Sequence, residues 1–228
     1  MQISHKYKFI FFSFPKTGSE SVRRLLDPYS DIHGVPFWKR ITKNPFFSHI
    51  SPIETMAIFN EYGWNYDDYY KFTFVRNPWA RMVSLYNMIY QVSSNHKVKD
   101  KIRRIIYRIP SFNDWLISTS PSGEGAGGPA NQRWQVYGAY SIKNYILDES
   151  GNELVNDVIK LEEINNQLPI TLKQIGIPQS ENIYIPFINK GKKTGEYKDY
   201  YNDSSRELIY LRYAYDIERF GYKYDDNI

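Results

Sequence analysis

Twice in this chain an aromatic, strand-like run gives way within a few residues to a helix. Residues 8 to 14, "KFIFFSF", are rich in aromatic and β-branched side chains and lead through "PKTG" into "SESVRRLL". Residues 70 to 75, "YKFTFV", lead through "RNP" into a stretch where Trp79, Met82, Val83, Tyr86, Ile89 and Tyr90 recur at helical spacing. Asn77 is a good N-cap, and Pro78 sits at the first helical position, where its missing N–H costs nothing. Two strand-loop-helix units predict an α/β fold, a parallel β-sheet flanked by helices. Ligands then bind at the carboxyl ends of the strands, with both loops facing one crevice. Further on, Ser51-Pro52 opens a helix with a capping box completed by Glu54. A short strand is expected near Val158 to Leu161 with a helix after it, and "SSRELIYLRYAYDIERFGY" reads as one capped C-terminal helix. The 228 residues are enough for one domain with its own core, spanning 1–228.

Composition narrows the class. No apolar stretch exceeds five residues, far below the ~18 that span a bilayer, and "MQISHKYKFIFF" lacks the layout of a signal peptide. The expectation is a chain with no transmembrane segment that is not exported. Zero cysteines exclude disulfides, thiolate metal sites and cysteine nucleophiles. The net charge of +4 favours anionic ligands, but no recognition helix or aromatic-basic signature points to nucleic acid. Most of the 21 tyrosines are expected to half-bury, with some left for stacking. In "HKVKDKIRRIIYRI" (96 to 109) an isoleucine stripe lies beneath a basic face. That face is a solvated one or, on a second reading, a contact for an acidic acceptor or a membrane surface. "PSGEGAGGPA" (121 to 130) is a glycine-rich loop with no strand before it, and so a flexible connection.

The loop "FPKTGSES" is an anion site by construction. A chain leaving a strand and entering a helix presents unpaired N–H groups and the positive end of the helix dipole, to which Lys16, Thr17, Ser19 and Ser21 add donors. Gly18 lets the backbone come close to a ligand or take a positive φ. A triphosphate loop would read GxxxxGK[ST], whereas here the lysine precedes a lone glycine, so a nucleotide kinase fits poorly. In the second loop Arg76 ends a strand and Ser84 follows eight residues later, within reach of a shared anion.

Together "FPKTGSES" and "FVRNPWARMVSLY" resemble the two signatures of sulfotransferases that use 3'-phosphoadenosine 5'-phosphosulfate (PAPS). The likeness is strongest to the carbohydrate branch that includes the chondroitin and heparan enzymes. "YILDESGNELVNDVIKLEEI" and "YAYDIERFGYKY" extend the likeness over nearly the whole chain. The resemblance implies a P-loop-like sulfotransferase fold. It also implies that Pro15, Lys16, Thr17, Gly18, Ser19, Glu20 and Ser21 bind the 5'-phosphosulfate end, that Arg76 and Ser84 bind the 3'-phosphate, and that the product is adenosine 3',5'-bisphosphate (PAP). Arg81 matches the family pattern too, either as a ligand or as a structural arginine. Glu20 stands where relatives carry a small residue, so its carboxylate is expected to point away from the donor or to cap the helix.

Sulfuryl transfer asks the protein for positioning and charge stabilisation, as phosphoryl transfer does. Lys16 is the natural partner of the leaving oxygen. With an ordinary pKa near ~6.5, histidine suits the base. His49 lies between the donor loops in sequence, where heparan-type relatives also carry a histidine, and His33, Glu54 and Glu162 are the alternatives. No metal-ligand cluster appears and none is expected. The resemblance implies a carbohydrate acceptor, anionic or extended, and peripheral membrane contact stays open. Because the chain starts directly at its first strand, a cytoplasmic enzyme is expected. Oligomeric state is not legible. The rival readings are a P-loop-type phosphotransferase and a non-catalytic nucleotide or glycan binder.

Overall fold

The computed structural model describes residues 1–41, 43–90, 106, 108–118, 139–178 and 196–226. Most of the basic segment 96 to 109 and the glycine-rich stretch 121 to 130 lie outside them. Chain contacts divide the protein into two compact units, residues 1–75 with 142–189, and residues 76–141 with 190–228.

The first unit holds the sheet. β1 (Gln2–Ser4), β2 (Phe9–Phe12), β3 (Ile32–His33), β4 (Tyr70–Val75) and β5 (Asp157–Lys160) form five strands in the order β3-β1-β2-β4-β5. β2, β4 and β5 are mutually parallel, but β1 runs antiparallel to both β2 and β3. The sheet is therefore mixed rather than purely parallel. The cause is local: only His5 to Lys8 separate β1 from β2, and so short a link can only turn the chain back on itself. β1 escapes sequence reading because three residues carry too little pattern, whereas the strand read at 70 to 75 appears with those bounds.

Helices α1 (Ser19–Leu26), α2 (Pro52–Glu61), α5 (Lys143–Ile146) and α6 (Ile164–Gln174) belong to this unit. α2 begins as its sequence says: Ser51 accepts from the Glu54 N–H, and the Glu54 carboxylate accepts from the Ser51 N–H at 2.9 Å. The core gathers Phe9, Phe11, Phe72 and Phe74 from the sheet, Val22 and Leu26 from α1, and Leu168 and Leu172 from α6. Phe72 is its centre, with ring centroids 5.3 Å from Phe11 and 6.3 Å from Phe9.

In the second unit α3 (Pro78–Tyr90) is capped by Asn77, whose Oδ1 accepts from the N–H groups of Trp79 (3.1 Å) and Ala80 (3.3 Å). α4 (Phe112–Ser118), α7 (Asp203–Arg212) and α8 (Ala214–Phe220) follow. The helix expected to run unbroken to the C-terminus is two helices, interrupted at Tyr213 (φ −116°, ψ 28°). The Tyr213 ring is buried, and its hydroxyl donates to the Ala139 carbonyl and packs on the Met82 sulfur. A buried phenol needs such a partner, and satisfying it outranks helical continuity. The tyrosines here are structural: Tyr86 donates to the Pro110 carbonyl and Tyr201 to the Trp79 carbonyl.

Phe72→Ala removes the ring at the centre of the sheet's phenylalanine cluster. We expect it to cost about 3–5 kcal/mol, read as a lowered urea midpoint at unchanged m-value.

Candidate functional site

Because β2, β4 and β5 run parallel in one sheet, their carboxyl ends at Phe12, Val75 and Lys160 lie along one edge. That edge is where an α/β sheet collects ligands. The segment leaving β2 is built for close approach. Ser13, Phe14, Pro15 and Thr17 are buried, Lys16 and Ser19 are half-buried and Gly18 is exposed. Lys16 (φ 67°) and Gly18 (φ 73°) both take the left-handed conformation. For a lysine this is strained by on the order of 1–3 kcal/mol, and such strain gathers where backbone is arranged to meet a ligand. Thr17, read from sequence as a hydroxyl donor to the ligand, instead donates its proton to the Phe14 carbonyl at 2.8 Å and locks the turn.

Gly18 is the N-cap of α1, no side chain caps that helix and the Ser21 N–H turns back to the Gly18 carbonyl at 3.2 Å, with the helix dipole behind this opening turn. Glu20 turns back along its own helix, pairing with Arg23 and lying 3.5 Å from Arg24. Its charge is thereby offset, as its position beside an anion site requires. Two constraints make residue 18 a glycine. Its φ is positive, and a Cβ there would stand 2.7 Å from Leu161 Cδ1, at the start of the turn that follows β5.

His49 belongs to the same unit. The chain reaches it through a neck in which Ser48 N–H donates to the Val35 carbonyl (2.8 Å) and Val35 N–H to the Phe46 carbonyl (3.1 Å). The next residue, Ile50, is held by the Tyr145 hydroxyl on its carbonyl at 2.7 Å. The imidazole Nδ1 is 2.7 Å from the carbonyl oxygen of Ser13, three residues before Lys16. A carbonyl only accepts, so Nδ1 carries the proton, and the neutral ring keeps its lone pair on Nε2. The residue is exposed as a whole, yet protein atoms crowd the ring. Desolvation, opposed by the Ser13 hydrogen bond and assisted by the Met1 amino group, Arg23 and Lys16, lowers its pKa from 6.5 to about 4. The expectation of a base near ~6.5 is thus corrected: the ring is neutral at every physiological pH. The linkage runs accordingly. The unfolded chain takes a proton near pH 6.5 and the folded one only near 4, so this group withdraws stability as pH falls through that window.

The three alternative bases, His33, Glu54 and Glu162, also lie in the first unit. The Glu54 carboxylate accepts from both the Ser51 N–H and hydroxyl. His33 is exposed on β3 with Nδ1 3.2 Å from Asp27. Glu162 lies in the turn Leu161–Glu163 after β5. Sequence reading missed the Ser13 carbonyl, since every residue has one, and it missed Arg23. The Arg23 guanidinium lies 3.4 Å from the Ser48 hydroxyl and pairs with Glu20.

In the second unit Arg76 precedes α3 and Ser84 lies within it, both half-buried. Arg81, left between two roles by the sequence, is structural: it is fully buried, donates to the Tyr140 carbonyl at 2.7 Å and lies over the Tyr213 ring at 5.1 Å. Among the described residues no three of His, Cys, Asp or Glu cluster as a metal site, and no helix is long and apolar enough to cross a membrane.

A lysine in the left-handed conformation, a glycine at the start of an uncapped helix and an imidazole anchored to the same segment suit the handling of an anionic group. The Sulfotransferase family model matches residues 1–223, nearly the whole chain, and the protein belongs to that family. No curated protein matches it. The chemistry is therefore sulfuryl transfer on an α/β fold with a mixed sheet.

Gly18→Ala meets both constraints at once, and we expect a loss of about 1–3 kcal/mol in unfolding free energy. In a double-mutant cycle, Leu161→Ala should relieve the part due to contact and leave the part due to φ, giving a coupling above ~0.5 kcal/mol.

Proposed function

We propose that the protein is a PAPS-dependent carbohydrate sulfotransferase. The observation that carries this reading is the Nδ1 hydrogen bond of His49 to Ser13. It fixes the tautomer with the lone pair on Nε2 and ties the ring to the segment that carries Lys16. In the reaction the acceptor hydroxyl loses its proton to His49 Nε2 as its oxygen bonds to sulfur. The bond from sulfur to the bridging phosphate oxygen breaks, and its electron pair leaves with PAP. Lys16 and the opening N–H groups of α1 stabilise the charge growing on that oxygen. The segment Pro15 to Ser21 takes the 5'-phosphosulfate, Arg76 and Ser84 take the 3'-phosphate, and a sugar hydroxyl is the acceptor. No metal takes part, and the cytoplasm is the proposed location.

A base with a pKa of about 4 trades driving force for availability, since it is unprotonated throughout the working range. The rate should be flat from about pH 6 to 8 and fall in acid as His49 takes a proton. His49→Ala should abolish that acid limb and lower kcat by roughly 10² to 10⁴ while PAP binding stays within about twofold. A folded mutant that keeps more than about a tenth of kcat would exclude the role.

Arg76→Ala tests the donor assignment. Loss of a charge-assisted contact worth about 1.5–3 kcal/mol should weaken PAP binding while leaving adenosine 5'-phosphosulfate, which has no 3'-phosphate, almost unaffected. Titration calorimetry with the two ligands separates these outcomes, and equal losses would sink the assignment.

A further inference from the structure

The segment between Gly34 and His49 leaves the first unit as a closed loop and carries apolar side chains outward. Its neck is sealed by the Val35 bonds to Phe46 and Ser48. Toward its tip Ile41 and Asn44 exchange N–H···O bonds of 3.2 and 2.9 Å. Phe37 is wedged edge-on against Phe47, with centroids 5.0 Å apart, and Arg40 stacks over the Phe37 ring at 4.1 Å. The Asn44 amide ties the loop to the His33 carbonyl. The loop is thus braced internally, yet it displays Trp38 at 81% exposure, Ile41 at 61% and Phe37 at 52%. Three large apolar side chains exposed on one braced loop mark a docking surface.

Charge identifies the partner. From Gly34 to His49 the chain carries Lys39, Arg40 and Lys43 and no acidic residue, and all three cations are exposed. Tryptophan settles at the headgroup level of a bilayer, aliphatic and phenyl groups enter just beneath it, and lysine and arginine extend back to lipid phosphates. A sugar-stacking platform would pair a flat ring with neighbouring amide or carboxylate hydrogen-bonding groups, whereas here the neighbours are an isoleucine and cations. We propose that the loop 36–45 is an interfacial anchor that docks the protein on an anionic lipid surface. Since His49 follows the neck directly, docking would hold the base close to that surface. The anchor does not depend on which acceptor the enzyme uses.

The test is co-sedimentation of the full chain with vesicles of phosphatidylcholine, alone and mixed with phosphatidylglycerol. Binding is expected to the mixed vesicles only and to weaken as salt rises. Trp38→Ser combined with Ile41→Ser should reduce it at least tenfold, and Lys39→Glu combined with Lys43→Glu should do the same. Neither pair touches the sulfuryl-transfer site, so PAP-induced thermal stabilisation should persist in both and report an intact fold. Absence of vesicle binding by the unaltered chain, or equal binding by the Trp38/Ile41 variant, would overturn the proposal. So would a dimer in sedimentation velocity that the same variant dissolves, which would assign the loop to a second copy. Heparin binding lost in that variant, with no vesicle binding in the parent, would assign it to a glycan.

Discussion

The parallel ladder between β2 and β4 organises the first unit. Phe9 to Phe12 pair in register with Tyr70 to Thr73, and the Thr73 hydroxyl adds a bond to the Phe12 carbonyl at 2.8 Å. The register aligns Phe9, Phe11, Phe72 and Phe74 into one apolar face under α1 and α6. It also ends the strands along a common edge. Burial of those rings, at roughly 25 cal/mol per Å² of apolar surface, is what holds the strained segment after β2 in place. Without a rigid strand behind it, Lys16 would relax out of its left-handed conformation.

The chemistry follows from how that segment is satisfied. Thr17 closes the turn with its own hydroxyl, Glu20 is neutralised by Arg23 and Arg24, and Gly18 admits Leu161. The opening of α1, its dipole and the Lys16 cation together suit an anion. His49 is tuned by the same surroundings. Desolvation, assisted by neighbouring cations, keeps it neutral, and one carbonyl selects which nitrogen bears the proton. The carbonyl that anchors His49 and the residue Lys16 therefore share a backbone segment, so a change in one is felt by the other.

Arg81 and Asn77 show how a motif mixes roles. Both belong to the stretch "RNPWAR", yet Arg81 is buried over Tyr213 and Asn77 caps α3 while its amide donates to the Lys223 carbonyl at 3.0 Å. Only Arg76 and Ser84 keep the half-exposed character that a ligand contact needs. Spacing along a helix says which residues share a face, but not which of them the rest of the chain will cover.

Local physics was sufficient for much of this protein. The strand 70 to 75, the caps at Ser51 and Asn77 and the helix after residue 18 all rest on interactions within a few residues, so the sequence by itself determined them. The α/β class followed from two strand-helix units repeating one pattern. Tertiary structure alone decided the antiparallel β1, too short to carry a pattern, and the break at Tyr213, made by a phenol whose partner lies 74 residues away. The protonation state of His49 was decided there too. A histidine's pKa near ~6.5 is a property of the free side chain; its fall to about 4 depends on the burial the fold imposes on the ring and on the cations it gathers there, against the opposing Ser13 carbonyl, and none of these neighbours is adjacent in sequence.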